Sequence, residues 1–268
     1  MSEVALAAYF SPPLGLQTVH LGQLYERWQD EYPVTVDQPL LPPVPLETFD
    51  TPTLGMTFPF GPLAGTRVWF QTERADRVVQ VQADRVVLNW RRTADDSSYP
   101  RYAFLRPAFA RVLTDLREVC QEHGLEAPQV RQAEVAYTNP ISRNGTEDLT
   151  VPDVVAPWSG DHADDFLPVE EEVRLDLRYR IPDPATGAPA GRLYASLLPM
   201  IMPPSGGTPP QETLLLQLFA RGLVASVDQP ETVITFLDLA HDWVVNGFVS
   251  LTRPSMHTLW GLMEEEKK

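Results

Sequence analysis

Residues 67–72, 77–82 and 85–90 constrain this chain more than any other stretch. The second and third runs are rich in valine, the first and third carry aromatic residues, and each is too short for an ordinary helix. Only 73–76 and 83–84 lie between them. Parallel neighbours need a crossover of about a dozen residues or more, so such short links allow only an antiparallel meander. A chain built on this element is a sheet protein with helices added.

The flanks supply those helices. Residues 4–10 form a short apolar run that stops at Pro12 and Pro13, as a buried strand would. Leu21, Leu24, Tyr25 and Trp28 then recur at helical spacing, ending before Pro33. Residues 33–63 are proline-rich and aperiodic and read as a long extended connection. After Tyr99 and Pro100 the positions Leu105, Phe109, Val112, Leu116 and Val119 form an apolar helical stripe, with Gly124 placed as its C-terminal stop. Residues 130–137 alternate as another strand.

The polar stretch 143–168 is the best internal boundary, giving halves 1–145 and 146–268 that form either two units or one continuous domain. Beyond it, Val173, Leu175, Leu177 and Tyr179 alternate with charged residues in a half-exposed strand. Two further strands are expected over 192–202 and 212–223. Asp228 and Glu231 then form a capping pattern ahead of a helix striped by Phe236, Leu239, Ala240, Trp243, Val244 and Phe248, with a break at Pro254. The expected class is α+β: curved antiparallel sheet with long helices packed on one face, in the order β-α-βββ-α-β then βββ-α. The halves share a loose plan, meander then long helix, without a residue-level repeat.

Charge narrows the function classes. The 268 residues hold 21 Lys+Arg against 36 Asp+Glu, a formal charge of −15. A general nucleic-acid surface needs a basic face, and an anionic membrane surface attracts basic segments, so both are disfavoured. The opening residues lack a basic leader pattern, and no apolar stretch reaches the ~20 residues of a membrane span, so a cytoplasmic location is expected. The charge is unevenly spread. Residues 61–145 hold 12 basic and 10 acidic residues, whereas the flanking stretches are strongly acidic. The single cysteine, Cys120, excludes an internal disulfide.

The locally basic stretch carries Val86-Val-Leu-Asn-Trp-Arg-Arg92 and Tyr99-Pro-Arg-Tyr102, with Arg106-Pro107 just after. This phrase resembles that of a sporadically distributed bacterial family of uncharacterised proteins, marked by an LNWRR…YPRY-type central motif. The similarity extends to Phe10-Ser-Pro-Pro-Leu14 and to the closing segment around His241, Met256 and Trp260. The resemblance implies no activity, cofactor or catalytic residue. It places the chain in a bacterium, and sporadic distribution associates it with a stress or defence setting.

Trp90, Arg91, Arg92, Tyr99, Arg101, Tyr102 and Arg106 form the leading candidate site, for an anion or a partner. Planar guanidiniums beside tyrosines suit bidentate recognition of carboxylate or phosphate. The same arginines can equally pair with acidic residues as a structural seam. Asp161, His162, Asp164 and Asp165 lack the ordered spacing of a calcium loop and read as a solvated segment. The glutamate runs 170–172 and 264–266 read likewise. His241, Asp242 and His257 border the last helix stripe, and Cys120 and His123 sit within one helical turn. Neither group carries a nucleophile motif, so no catalytic residue, metal ligand or cofactor is assigned.

Three functions remain open. The first is a non-enzymatic interaction or regulatory protein that binds another bacterial protein. The second is a small-ligand or nucleotide-binding module using the Arg/Tyr site. The third is a hydrolase with an Asp/His site. The oligomeric state is not expressed in the sequence.

Overall fold

The computed structural model describes residues 1–49, 65–93, 98–141, 150–159, 166, 170, 172–202, 211–225 and 230–260. The first half runs β1 (Glu3–Phe10), α1 (Thr18–Trp28), β2 (Val34–Gln38), β3 (Arg67–Gln71), β4 (Arg77–Gln82), β5 (Arg85–Arg91) and α2 (Tyr102–Glu122). The second runs β6 (Val130–Ile141), α3 (Val151–Val154), β7 (Leu175–Pro182), β8 (Pro189–Met202), β9 (Gln211–Leu223), α4 (Pro230–Leu251) and α5 (Pro254–Trp260).

All nine strands join one open antiparallel sheet in the order β2-β3-β4-β5-β1-β6-β9-β8-β7. The mixed class expected from sequence is therefore present. The expected element order is incomplete, because β2 and α3 are additional and the break expected at Pro254 sets off α5 as a separate helix. β2 escaped notice because it is a five-residue edge strand, VTVDQ, hard against Pro33 and inside a proline-rich stretch. The half-exposed strand expected to include Val173 begins only at Leu175.

The order hides a repeat of plan. Outward from the central pair β1 and β6, the first half supplies β5, β4 and β3, and the second supplies β9, β8 and β7. Each half reads central strand, short helix, three-strand meander, long helix, with β2 added at one edge.

Register fixes two unlike faces, because side chains alternate along every strand. Leu6 pairs with Leu88 and Val135, and Val135 pairs with Ala220, so a continuous apolar row crosses the sheet centre. The alternate positions carry Tyr9, Arg85, Gln132 and Arg221, giving the other face a polar character. α4 packs on β6, β9 and β8, whereas α2 packs on β5, β1 and α4. Arg27 of α1 bridges Glu118 and Glu122 of α2, at 2.6 Å each, and Trp28 Nε1 donates to Asp115 at 2.7 Å.

Glycine allows closest approach at β9. A Cβ on Gly222 would sit 2.2 Å from the Ala190 carbonyl oxygen and 2.5 Å from the Phe236 ring. Gly22, in the middle of α1, has open space around it. Chemical denaturation should separate the two. Gly222→Ala is expected to destabilise by about 1–3 kcal/mol through overpacking against backbone. Gly22→Ala is expected to stabilise by about 0.5–1 kcal/mol, because alanine loses less entropy in a helix.

Candidate functional site

The structure divides the seven arginine and aromatic candidates. Trp90 is 1% exposed and its ring centroid lies 5.2 Å from that of Tyr99. Arg91, one residue on, belongs to the opposite sheet face: its Nε donates to the Ala75 carbonyl at 2.8 Å and its guanidinium lies over Trp69. The Arg92 amide donates to the Ser2 carbonyl at 2.8 Å, which ties the end of β5 to the start of the chain. Arg101 is exposed and holds φ at 69° as the residue preceding α2. Tyr99, Tyr102 and Arg106 stay together with Trp90 around the N-terminus of α2.

Three groups from distant sequence complete that cluster: Tyr137 on β6, and Asp238 and His241 on α4. Tyr99 and Tyr137 share a hydrogen bond of 2.9 Å between their hydroxyls, and the Tyr137 hydroxyl lies 3.0 Å from His241 Nδ1. The Tyr102 ring stacks on the His241 ring, with centroids 4.0 Å apart and planes 5° from parallel. The Tyr102 hydroxyl donates to Asp238 Oδ1 at 2.9 Å. Arg106 donates to both oxygens of the same carboxylate, at 2.7 and 2.8 Å.

This geometry determines what the cluster can do. The Arg106 fork is filled by Asp238, so its bidentate capacity serves an internal ion pair and not a foreign anion. That pair is about 40% exposed on each side, and such pairs contribute at most about 1 kcal/mol. Its hydrogen bonds from Arg106, then Tyr102, hold the Asp238 carboxyl below its usual range. Burial, more than any neighbour, pushes the Tyr102, Tyr137 and Tyr99 hydroxyls up, so all three remain phenols.

Burial also lowers His241 below 6.5, against the opposing pull of Asp242 and Asp238. A neutral imidazole can accept at Nδ1, and the protons of Tyr99 and Tyr137 then run in one direction toward it. Protonating His241 would place a donor at Nδ1 and force that chain to reverse. Because Asp238 is engaged by Arg106 and Tyr102, the arrangement is a phenol–phenol–imidazole relay and does not reproduce a carboxylate–imidazole–nucleophile triad.

The other sequence candidates fall elsewhere. Cys120 is fully buried, and burial pushes its thiol up. His123 stands against His20 with ring centroids 5.2 Å apart. His257 Nε2 pairs with the Thr252 hydroxyl at 2.7 Å. Asp161, His162, Asp164, Asp165 and the run 264–266 lie outside the described residues. Among the described residues no group of three or more His, Cys, Asp or Glu could hold a metal ion. None of their helices is long and apolar enough to cross a membrane.

The opposite flank of α4 lines a cleft of about 570 Å³. Tyr179 and Leu193 line it from the sheet, Leu239 and Trp243 from the helix, and Pro157 contributes to the lining. Asp242, Asn246 and Ser250 place polar groups along the same helix. Sequence reading missed this cleft, although Leu239 and Trp243 were visible as helix-stripe positions. Their facing partners come from strands some 50 residues earlier, beyond the reach of local periodicity. Comparison with protein-family models and with curated proteins finds no match to this chain.

Two measurements check the relay. Tyr137→Phe should cost about 1–3 kcal/mol in denaturant unfolding, because the partnered Nδ1 of His241 loses its hydrogen bond in a buried setting. A histidine whose folded pKa is lowered contributes stability that is full above its unfolded value of about 6.5 and lost as pH falls below it. The stability advantage of wild type over His241→Phe should therefore shrink between roughly pH 7.5 and 5.

Proposed function

We propose that the protein is a non-enzymatic binding protein whose cleft beside α4 takes a small amphipathic molecule. The carrying observation is the cleft itself: about 570 Å³, walled by Tyr179, Leu193, Leu239 and Trp243, with Asp242, Asn246 and Ser250 along one side. That size and that mixture of apolar wall and few polar groups are what small-molecule sites use. Asp242 contributes negative charge, so the matching ligand has an apolar or aromatic body and an amine or other donor. This replaces the nucleotide-type anion as the favoured ligand, because the Arg106 fork already holds Asp238.

The reading includes an architecture in which both long helices lie on the apolar face of a curved sheet, so that α4 and the β7–β8 hairpin form the two jaws of the cleft. A second reading, binding of another bacterial protein in a stress or defence setting, is favoured by residues 39–49. This proline-rich segment keeps Leu41 and Leu46 at 37% and 45% exposure on the surface. A hydrolase draws no support from His241, whose ring is engaged by Tyr137 and Tyr102.

Thermal shift with matched series of aryl and alkyl amines, carboxylates and neutral analogues tests the cleft. An amine at about a hundred times its Kd should raise Tm by roughly 5 °C or more. Asp242→Asn should remove the preference for amines, and Ser250→Trp should abolish the response by filling the cleft. A panel in which no compound moves Tm, or an amine preference unchanged in Asp242→Asn, would refute the proposal.

A further inference from the structure

A row of donors on the polar face of the sheet serves one extended segment. Residues 39–49 cross that face nearly from edge to edge, and the sheet addresses their backbone. At the first edge Arg67 donates to the Pro39 carbonyl at 3.1 Å. On β4 the Gln82 side chain pairs with Leu41 through both of its amide atoms, accepting from the Leu41 N–H at 3.0 Å and donating to its carbonyl at 2.9 Å. Arg85 donates to the Pro42 carbonyl at 2.5 Å. On β6, Gln132 repeats the two-atom pattern, accepting from the Glu47 N–H at 2.8 Å and donating to the Pro45 carbonyl at 3.4 Å. At the far edge Arg192 and Arg180 donate to the Thr48 and Phe49 carbonyls, at 2.5 and 3.3 Å.

One side chain of the segment is read deeply. The Glu47 carboxylate is 4% exposed, paired with Arg192 and accepting from the Tyr194 hydroxyl at 2.6 Å. Phe49 lies under the Arg192 guanidinium, 4.6 Å from its ring centroid. Most of the other side chains stay in solvent: Pro39, Leu41, Pro42, Pro43, Pro45 and Leu46 are exposed, and Leu40 and Val44 are half-buried. Backbone recognition with one anchoring side chain is how proteins bind extended peptides in trans. Proline stiffness lowers the entropy cost of holding such a segment extended. A segment that buries so little apolar surface is also the kind that opens locally while the rest of the fold stays closed.

We propose that this polar face is a recognition groove for an extended, proline-rich peptide carrying a single carboxylate anchor, and that residues 39–49 occupy it in cis. The external ligand is a partner segment of the same chemistry, admitted when the strap lifts. The Gln82 and Gln132 amides read its backbone, and the Arg192–Tyr194 pair reads its carboxylate. The groove goes beyond the α4 cleft and stands without it.

The test uses the full chain with residues 39–49 replaced by a Gly/Ser segment of equal length, and a fluorescent peptide spanning residues 38–49 as probe. Anisotropy should show saturable binding to this variant. Binding should be at least tenfold weaker for the peptide bearing Glu47→Ala, and at least tenfold weaker for the intact chain, whose groove is filled. Absence of saturable binding to the folded variant, or equal binding of the Glu47→Ala peptide, overturns the proposal. Hydrogen exchange on the unaltered chain gives a second arm that needs no variant to fold. The Leu41 and Glu47 amides should exchange at least ten times faster than the ladder amides of β4 and β6. Exchange of both sets at one common rate would mean the strap leaves only on global unfolding, and would overturn the proposal as well.

Discussion

The pairing of β1 with both β5 and β6 is the joint on which the two halves of the chain meet. β1 is buried along nearly its whole length, with Val4, Leu6 and Ala8 in the apolar core and Ala7 and Tyr9 on the other side. A strand covered on both faces cannot shift register by one residue without moving Leu6 into a polar setting and Tyr9 into an apolar one. Its register therefore sets the register of every strand outward from it: β5, β4, β3 and β2 in one direction, and β6, β9, β8 and β7 in the other.

From that register follow two faces with different chemistry. Leu237, Ala240 and Val244 of α4 and Leu105, Phe109 and Leu116 of α2 are buried in one core together with the apolar row of the sheet. The polar face is covered by hydrogen bonds, with arginine and glutamine side chains directed at the carbonyls of a proline-rich strap. Proline suits that role for a specific reason. It offers a carbonyl but no N–H, so a proline segment laid over a donor-rich face leaves few donors of its own unpaired. The half-buried Glu134–Arg221 pair, 2.5 Å apart, lies on this same face, with the Arg221 guanidinium near the rings of Tyr9 and Tyr194. Placing two charges there is tolerable because each meets its opposite within hydrogen-bond distance.

What was legible in the sequence was whatever follows from local period. The meander at 67–91 was visible because its links are too short for anything else. α2 and α4 were visible because their apolar residues recur at helical spacing over more than five turns. β2 was not, since five residues beside a proline, four of them exposed, carry no periodic burial signal. The arginine and tyrosine phrase at 90–106 stood out by composition, but composition could not say that strand alternation sends Arg91 to the face opposite Trp90, nor that Asp238 meets Arg106. His241 was visible as a stripe-edge histidine. Its hydroxyl partner, Tyr137, sits more than 100 residues away on a strand whose pairing no local pattern encodes.

The sequence by itself thus determined the types of the longer elements, the antiparallel character of the first meander and the apolar stripes of the two long helices, because each depends on residues within a few positions of one another. The tertiary structure decided the rest. It joined the two halves through one sheet, neutralised Arg106 with Asp238, chained Tyr99 and Tyr137 to His241, and laid residues 39–49 along a row of arginines and glutamines. Each of these depends on which strands lie side by side, and that order is set by burial of the whole apolar face at once.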